Sequence, residues 1–214
     1  MAFLTIERDG GILTATMNQP ETRNALTGNT AVQEFVQLCE DVRKDASVKV
    51  LIITAAGPIF SSGGNVKDMK RFFDDALTPD LIREEYRQGI QQIPTALVQL
   101  DVPVICAING PAIGAGLDLT CMCDIRIASE TATFAESFVR VGIVPGDGGA
   151  WLLPRAVGMA KASEMAFTGE PISAQEALAC GLVSRVVAAD QLLPTARALA
   201  AKIAANPGAV MRMT

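Results

Sequence analysis

The chain has 214 residues, of which 50% are hydrophobic and 19% charged, with no histidine and a formal net charge of −5. This composition suits a folded domain with a sizeable core and excludes a disordered or low-complexity chain. The lack of histidine excludes Ser-His-Asp and Cys-His nucleophile systems and every histidine-containing zinc site. The acidic balance, with scattered basic residues, argues against binding nucleic acid or an anionic membrane surface.

The five cysteines are odd in number and include no C-x-x-C pair, which predicts free thiols in a reducing cytoplasm. Acidic residues at Glu7 and Asp9 arrive too early for the apolar region of a signal peptide. No apolar run reaches the ~20 residues that a transmembrane helix needs. We therefore expect a cytoplasmic protein without a membrane segment.

Predicted strands and helices alternate through the first part of the chain. Gly10-Gly11 predicts a hairpin turn, and the apolar run VKVLIIT is typical of a strand covered on both faces. The predicted elements are strands 2–8 and 12–17, helix 30–43, strand 48–54, helix 79–100 broken or kinked at Pro94, strand 104–108, helix 117–123 and strand 124–128. This alternation predicts an α/β core with parallel strand pairing.

The rest of the chain is predicted to be mostly helical. The expected elements are helices 150–157, 161–167, 174–180 and 191–204, with a short strand at 184–187. Trp151 and Met159 are expected to pack in the core. Asn206-Pro207 begins a further helix that stops after barely two turns, which suggests a chain that continues beyond Thr214.

Two glycine-rich loops follow two of the predicted buried strands. The first is FSSGGNVKDM at 60–69, and the second is NGPAIGAGLD at 109–118. Open α/β sheets bind ligands at the carboxyl ends of their strands, and small residues let a ligand approach backbone N–H groups. One N–H group from each loop could converge on a developing oxyanion. The alternative is that these glycines only make turns. Neither a P-loop nor a dinucleotide-binding fingerprint occurs.

Four ordered segments carry a family resemblance. MNQPETRNAL, FSSGGNVKDM, PVICAINGPAIGAGLDLTCMCDIRIAS and VGIVPGDGGAWLLPRAVG together resemble the enoyl-CoA hydratase/isomerase (crotonase) superfamily, from Phe3 to about Met213. The resemblance implies an α/β fold, a crotonase-like spiral of β-β-α units over 1–190, and the start of a C-terminal helical trimerisation region at 191–214. It also implies an acyl-CoA substrate, no cofactor beyond the coenzyme A of that substrate, no metal, and a homotrimer or a dimer of trimers.

The resemblance assigns the catalytic groups residue by residue. The backbone N–H groups of Gly64 and Ala115 match the pair that holds the thioester carbonyl. Asp118 matches the first of the two glutamates that hydratases use. The helix dipole favours the Asp118 anion, whereas an apolar pocket opposes it. The second glutamate position is occupied by Phe138, which cannot transfer a proton and therefore favours double-bond isomerisation over hydration.

Two further carboxyls lie near Phe138 in the sequence, Glu136 and Asp147. Asp147, in the segment VPGDGG, falls close to where some family isomerases carry a carboxylate; a turn aspartate is the alternative. Asp118 with Asp147 could move a proton between two carbons of a bound chain. Glu136 is expected to point elsewhere if its stretch is extended. The resemblance assigns substrate binding to Arg23, Ala25, Ser62, Gly63, Asn65, Lys67, Gly114, Phe138, Pro145 and Gly146.

Two alternatives to hydration or isomerisation stay open. One is a different crotonase-type reaction, namely decarboxylation, thioester hydrolysis or a dehalogenation with Asp147 as nucleophile. The other is a non-catalytic acyl-CoA binder, since a missing glutamate is what a degenerate site would contain.

Overall fold

The computed structural model describes residues 2–69 and 77–214. Six strands form the main sheet: β1 (Leu4–Asp9), β2 (Ile12–Met17), β3 (Val50–Ala55), β4 (Val104–Ile108), β6 (Ile125–Ser129) and β9 (Arg185–Val187). They lie side by side in the order β1-β2-β3-β4-β6-β9, and all neighbours are parallel except the β1–β2 hairpin. The prediction of an α/β core with parallel pairing is confirmed.

A second, smaller sheet contains β5 (Ala112–Ile113), β7 (Thr133–Ala135) and β8 (Ile172–Ser173). β5 pairs with β7 in parallel, and β7 pairs with β8 antiparallel. The sequence analysis did not predict these strands, because two or three residues are too few to display the alternation that marks a strand. A bridge between Ser61 and Ala112 joins the first glycine loop to this sheet.

The helices follow the predicted order. They are α1 (Ala31–Lys44), α2 (Val66–Met69), α3 (Pro79–Gln88), α4 (Gln92–Val98), α5 (Ala115–Cys121), α6 (Gly149–Val157), α7 (Met159–Thr168), α8 (Ala174–Ala179), α9 (Leu192–Ala204) and α10 (Gly208–Met213). The break predicted at Pro94 is wrong, since the chain leaves the helical conformation at Gly89. Pro94 lies in the first turn of α4, where its missing N–H would have no partner within the helix.

Strand β3 is covered on both faces, as its continuous apolar run predicted. Leu51 and Ile53 belong to the larger core cluster together with Phe35 of α1. Val50 and Ile52 point to the opposite face and pack in a second cluster with α9. Helix α9 therefore covers the side of the main sheet that lies away from α1. A domain boundary at residue 190 stays a prediction.

An exposed apolar surface lies on α6, α7 and the segment before them. Its members have exposed fractions of 77% for Val144, 65% for Trp151, 71% for Met159 and 79% for Phe167. We call these four residues the α6–α7 face. The expectation that Trp151 and Met159 pack in the core is wrong. The Trp151 ring is instead covered by the guanidinium group of Arg155, whose central carbon lies 3.2 Å from the ring centroid.

None of the helices in the described ranges has the length and apolar character needed to cross a bilayer.

Candidate active site

The two glycine loops lie side by side, as their position after neighbouring strands predicted. The amide of Ile113 donates to the carbonyl oxygen of Ser61 over 3.0 Å. A side-chain carbon at Gly116 would overlap that same oxygen, and one at Gly63 would lie 2.5 Å from the carbonyl oxygen of Ile113. Glycine at these positions lets the backbones of the two loops meet.

A cavity of about 320 Å³ opens between these loops, the start of α1 and the α3–α4 junction. Its lining includes Gly64 and Ala115, the two residues whose amides the resemblance assigned to a thioester oxygen. Within the described residues, neither amide donates a hydrogen bond to a protein acceptor. The full lining is Thr27, Gly28, Asn29, Val32, Gly64, Asn65, Glu85, Tyr86, Gly89, Ile90, Ala115, Phe138 and Asp147.

Asp147 and Asp118 form one unit, with Asp147 lining the cavity and Asp118 behind it. Asp118 lies in the first turn of α5 and is fully buried, and Asp147 is 3% exposed. The two side chains share a hydrogen bond. Asp118 also packs against the first residue of α6, where a side-chain carbon on Gly149 would overlap its carboxyl group.

Glu136 is the third carboxyl of this unit, and the expectation that it points elsewhere is wrong. Strand β7 ends at Ala135, and Glu136 begins a 3-10 helix over Ser137–Val141 instead of continuing the strand. The turn buries the Glu136 side chain to 1% exposure and brings it into a hydrogen bond with Asp118.

Burial is the largest influence on the ionisation of all three acids. It raises the pKa of Asp118 well above its usual range, and the charges of Asp147 and Glu136 add to that effect. The pKa of Glu136 rises to about 8 for the same reason, and that of Asp147 is also raised. Burial thus outweighs the helix dipole at Asp118. The hydrogen bond from Asp118 opposes this rise in the pKa of Asp147, which is the one of these three carboxyls that lines the cavity.

Phe138 lies on the cavity wall, 9% exposed, two residues after Glu136. Its ring reaches the second loop, with Cζ 3.7 Å from where a side-chain carbon on Gly114 would stand. Because residues 137–141 form a 3-10 turn, Glu136 and Phe138 both reach the site. The sequence analysis treated them as pointing in different directions.

The segment before α6 closes the cavity from another side. Pro145 and Gly146 are half-buried. The carbonyl oxygen of Gly146 accepts a hydrogen bond of 2.5 Å from the Gln91 side chain, and the Tyr86 ring packs on Gly146. The sequence analysis singled out neither Gln91 nor Tyr86.

The remaining substrate-binding candidates lie along two adjoining segments. The amide of Ser62 donates to the carbonyl oxygen of Arg23 over 3.0 Å, and the amide of Asn65 donates to the Thr27 hydroxyl over 2.8 Å. Ala25 and Gly63 are buried between these segments, whereas the side chains of Arg23 and Lys67 are exposed. No cluster of three metal-ligating side chains occurs in the described part of the chain.

Comparison with known proteins gives a consistent result. Residues 7–214 match the family model described as enoyl-CoA hydratase/isomerase. The chain is 36% identical over 211 residues to a probable enoyl-CoA hydratase of Mycobacterium bovis, covering 98% of this chain and 78% of that protein. It is 34% identical over 210 residues to the 1,2-epoxyphenylacetyl-CoA isomerase of Escherichia coli, covering 97% and 78%.

A solved structure agrees with these relatives. The crystal structure of an enoyl-CoA hydratase from Bacillus anthracis superposes with a TM-score of 0.90 at 31% identity, covering 99% of this chain and 80% of that one.

Proposed function

Because the chain belongs to the enoyl-CoA hydratase/isomerase family, we propose that it shifts a double bond along the acyl chain of a coenzyme A thioester. The family and the crotonase-like fold expected from the sequence are confirmed. The protein is an enzyme of the hydratase/isomerase type.

The amides of Gly64 and Ala115 are proposed to hold the thioester oxygen. Both residues line the cavity, and neither amide donates elsewhere in the described chain. Two such donors stabilise the negative charge that develops when a proton leaves the neighbouring carbon. Each donor of this kind contributes on the order of 3 kcal/mol to the transition state.

Asp147 is proposed to carry the proton. Its carboxylate takes a proton from the carbon next to the thioester carbonyl. The electron pair of the broken C–H bond forms a dienolate, whose negative charge lies on the thioester oxygen and is conjugated with the C=C bond. The same carboxyl then returns the proton two carbons further along, which leaves the double bond conjugated with the carbonyl. Asp118 donates a hydrogen bond to Asp147 from behind. The reaction consumes nothing besides the substrate.

One observation favours isomerisation over hydration, namely the phenyl ring of Phe138 on the cavity wall. In the hydratases that the chain resembles, a glutamate at this position handles the attacking water. A phenyl ring offers no hydrogen-bond acceptor to a water molecule, so the cavity provides one proton carrier rather than two.

Hydration is the second candidate function, and the number of carboxyls in the site supports it. Asp118 and Glu136 add two carboxyls to the one on Asp147, so the site does not lack acidic groups. A relative from Clostridium acetobutylicum, 36% identical over 212 residues, is named short-chain-enoyl-CoA hydratase.

The test offers the enzyme a 3-enoyl-CoA and crotonyl-CoA in parallel. We expect the wild type to convert the 3-enoyl-CoA to its conjugated isomer and to hydrate crotonyl-CoA slowly. Phe138→Glu should gain hydration, while Phe138→Leu, a size control without a carboxyl, should not. Brisk hydration by the wild type would overturn the preference for isomerisation.

Lys67 and Arg23 are proposed to contact the phosphates of coenzyme A, alongside the backbone of Ala25, Ser62 and Gly63. Both cations are exposed, and each lies within four residues of a residue that lines the cavity. We expect Lys67→Met to raise KM for the coenzyme A thioester but not for the matching pantetheine thioester, which lacks those phosphates. An equal rise for both substrates would contradict the assignment.

We further propose that coenzyme A enters as part of the substrate, with no separate cofactor. The described cysteines are free thiols, which favours a reducing compartment such as the cytoplasm. We propose that the α6–α7 face contributes to the interface of a trimer or a dimer of trimers, since its four large apolar side chains are each more than half exposed. Phe167→Ser should weaken assembly in sedimentation velocity.

A further inference from the structure

Two buried carboxyls stand behind the one that lines the cavity. We propose that Glu136 is a positioning residue: it donates a hydrogen bond to Asp118 and thereby keeps Asp118 oriented as a donor to Asp147. The inference rests on the proposed function only in giving Asp147 the role of proton carrier. The order of the three groups, from the cavity inward, is Asp147, Asp118, Glu136.

The geometry leaves these acids few other partners. Both oxygens of Asp118, one oxygen of Glu136 and one of Asp147 are buried and accept no hydrogen bond from an N–H or hydroxyl group in the described chain. A buried carboxylate without a donor is strongly disfavoured. Carboxyls that share protons satisfy one another, because a protonated carboxyl supplies the missing donor.

The direction of the hydrogen bonds follows from which acid ionises. The groups that face Glu136 are Asp118, Asp147 and the thiol of Cys121, and no cation acts on Glu136 within the described residues. With Asp147 ionised, Asp118 donates to Asp147, and a protonated Glu136 donates to Asp118. Two protons are thus distributed over three carboxyls at neutral pH.

When Glu136 loses its proton, the direction of its hydrogen bond with Asp118 reverses. Glu136 titrates at about pH 8, and its carboxylate then competes with Asp147 for the proton of Asp118. Asp147 loses its donor and its fixed orientation. We therefore expect kcat for exchange of the substrate α-proton to fall above pH 8 in the wild type, with KM little changed because Glu136 does not line the cavity.

Glu136→Gln is the decisive variant, because its amide donates to Asp118 at every pH. We expect it to keep wild-type kcat at neutral pH within about threefold and to lose the alkaline fall. Glu136→Leu, which donates nothing, should lower kcat about tenfold at neutral pH with KM unchanged. The control is Glu130→Gln, an exposed carboxyl in the same region, which should keep the wild-type profile. An alkaline fall that persists in Glu136→Gln would overturn the positioning role.

A second measurement needs no catalysis and so separates this inference from the proposed function. Infrared titration of the unliganded protein should show a protonated carboxyl that ionises near pH 8 in the wild type and in Glu130→Gln, but not in Glu136→Gln. If Glu136→Gln does not fold, Asp147→Asn replaces it. Removing the Asp147 charge should move the same transition to lower pH. A wild type with no protonated carboxyl at neutral pH, or an Asp147→Asn transition that does not move, contradicts the inference.

Discussion

Gly149 is the residue that gives the Asp118 carboxyl its place. A side-chain carbon there would overlap the carboxyl group, so Gly149→Ala must displace Asp118 from Asp147. Alanine is otherwise preferred to glycine in a helix, by roughly 1 kcal/mol. We expect α-proton exchange to fall on the order of 100-fold, as a displacement of about 1 Å in a catalytic group can cause. The measurement is deuterium incorporation into a short acyl-CoA.

The matched control for this change is Gly208→Ala. Gly208 also opens a helix, but a side-chain carbon there would lie 3.7 Å from the nearest described atom, on the Lys49 side chain, which is an ordinary contact. Exchange should therefore stay at the wild-type rate. If Gly149→Ala also leaves the exchange rate unchanged, then Asp118 does not need its observed position.

For single residues, the positions of backbone amides in the two loops were predicted better than the direction of a side chain next to a turn. The two loops were expected to meet because loops after parallel strands lie at one edge of a sheet; the resemblance assigned Gly64 and Ala115 within them, and both line the cavity. Glu136 was set aside on the assumption that its stretch is extended, whereas β7 stops at Ala135. That end point is set by pairing with β5 and β8, which are remote in the sequence.

The junction between α3 and α4 holds the segment that carries Asp147 in place. Gln91, just before α4, holds the carbonyl oxygen of Gly146 and so fixes the segment that carries Asp147. Gln91→Leu removes a hydrogen bond worth about 1 kcal/mol and frees that segment. We expect kcat to fall about 3- to 10-fold, by the same measure of energy. Steady-state kinetics on the isomerisation reaction will check this.

Gln88→Leu is the matched control for Gln91→Leu. Gln88 is exposed on α3, and its side-chain amide donates to Glu84 on the same helix over 2.9 Å. Its loss should leave kcat at the wild-type value. Equal rates for Gln91→Leu and the wild type would show that the Asp147 segment is held by other contacts.

The elements differ in how far their sequences determine them. β3 and β4 were predicted because long apolar runs fit only strands covered on both faces. The break between α3 and α4 was placed at Pro94, although proline is tolerated in the first turn of a helix. The observed break at Gly89 brings Tyr86 and Gln91 onto the Asp147 segment. Such a contact depends on the tertiary structure and leaves no periodic signal.

For the whole molecule, the buried acids make stability depend on pH. The pKa of Glu136 is raised from 4.5 to about 8, so between these values the folded protein binds more protons than the unfolded chain. Its stability therefore falls as the pH rises through this range. Asp118 and Asp147, whose pKa values are also raised, act in the same direction.

Other carboxyls have the opposite effect at low pH. Burial raises the pKa of Glu34, but hydrogen bonds from the amide of Phe3, the Thr30 hydroxyl and the amide of Leu4 together lower it. Hydrogen bonds from Ser47 and Arg8 lower the pKa of Asp45. The stability from these two groups is lost as the pH falls through their lowered pKa values. The maximum should therefore lie on the acidic side of neutrality.

Glu136→Gln should remove part of the alkaline loss, because its side chain keeps the hydrogen bond without the charge. We expect the free energy of unfolding to match the wild type near pH 5 and to exceed it by about 4 kcal/mol near pH 9. Urea unfolding across this pH range measures both curves. Curves that stay parallel would mean that Glu136 ionises in the folded protein as it does in the unfolded chain, and a buried proton-sharing cluster could not then be what orients Asp147.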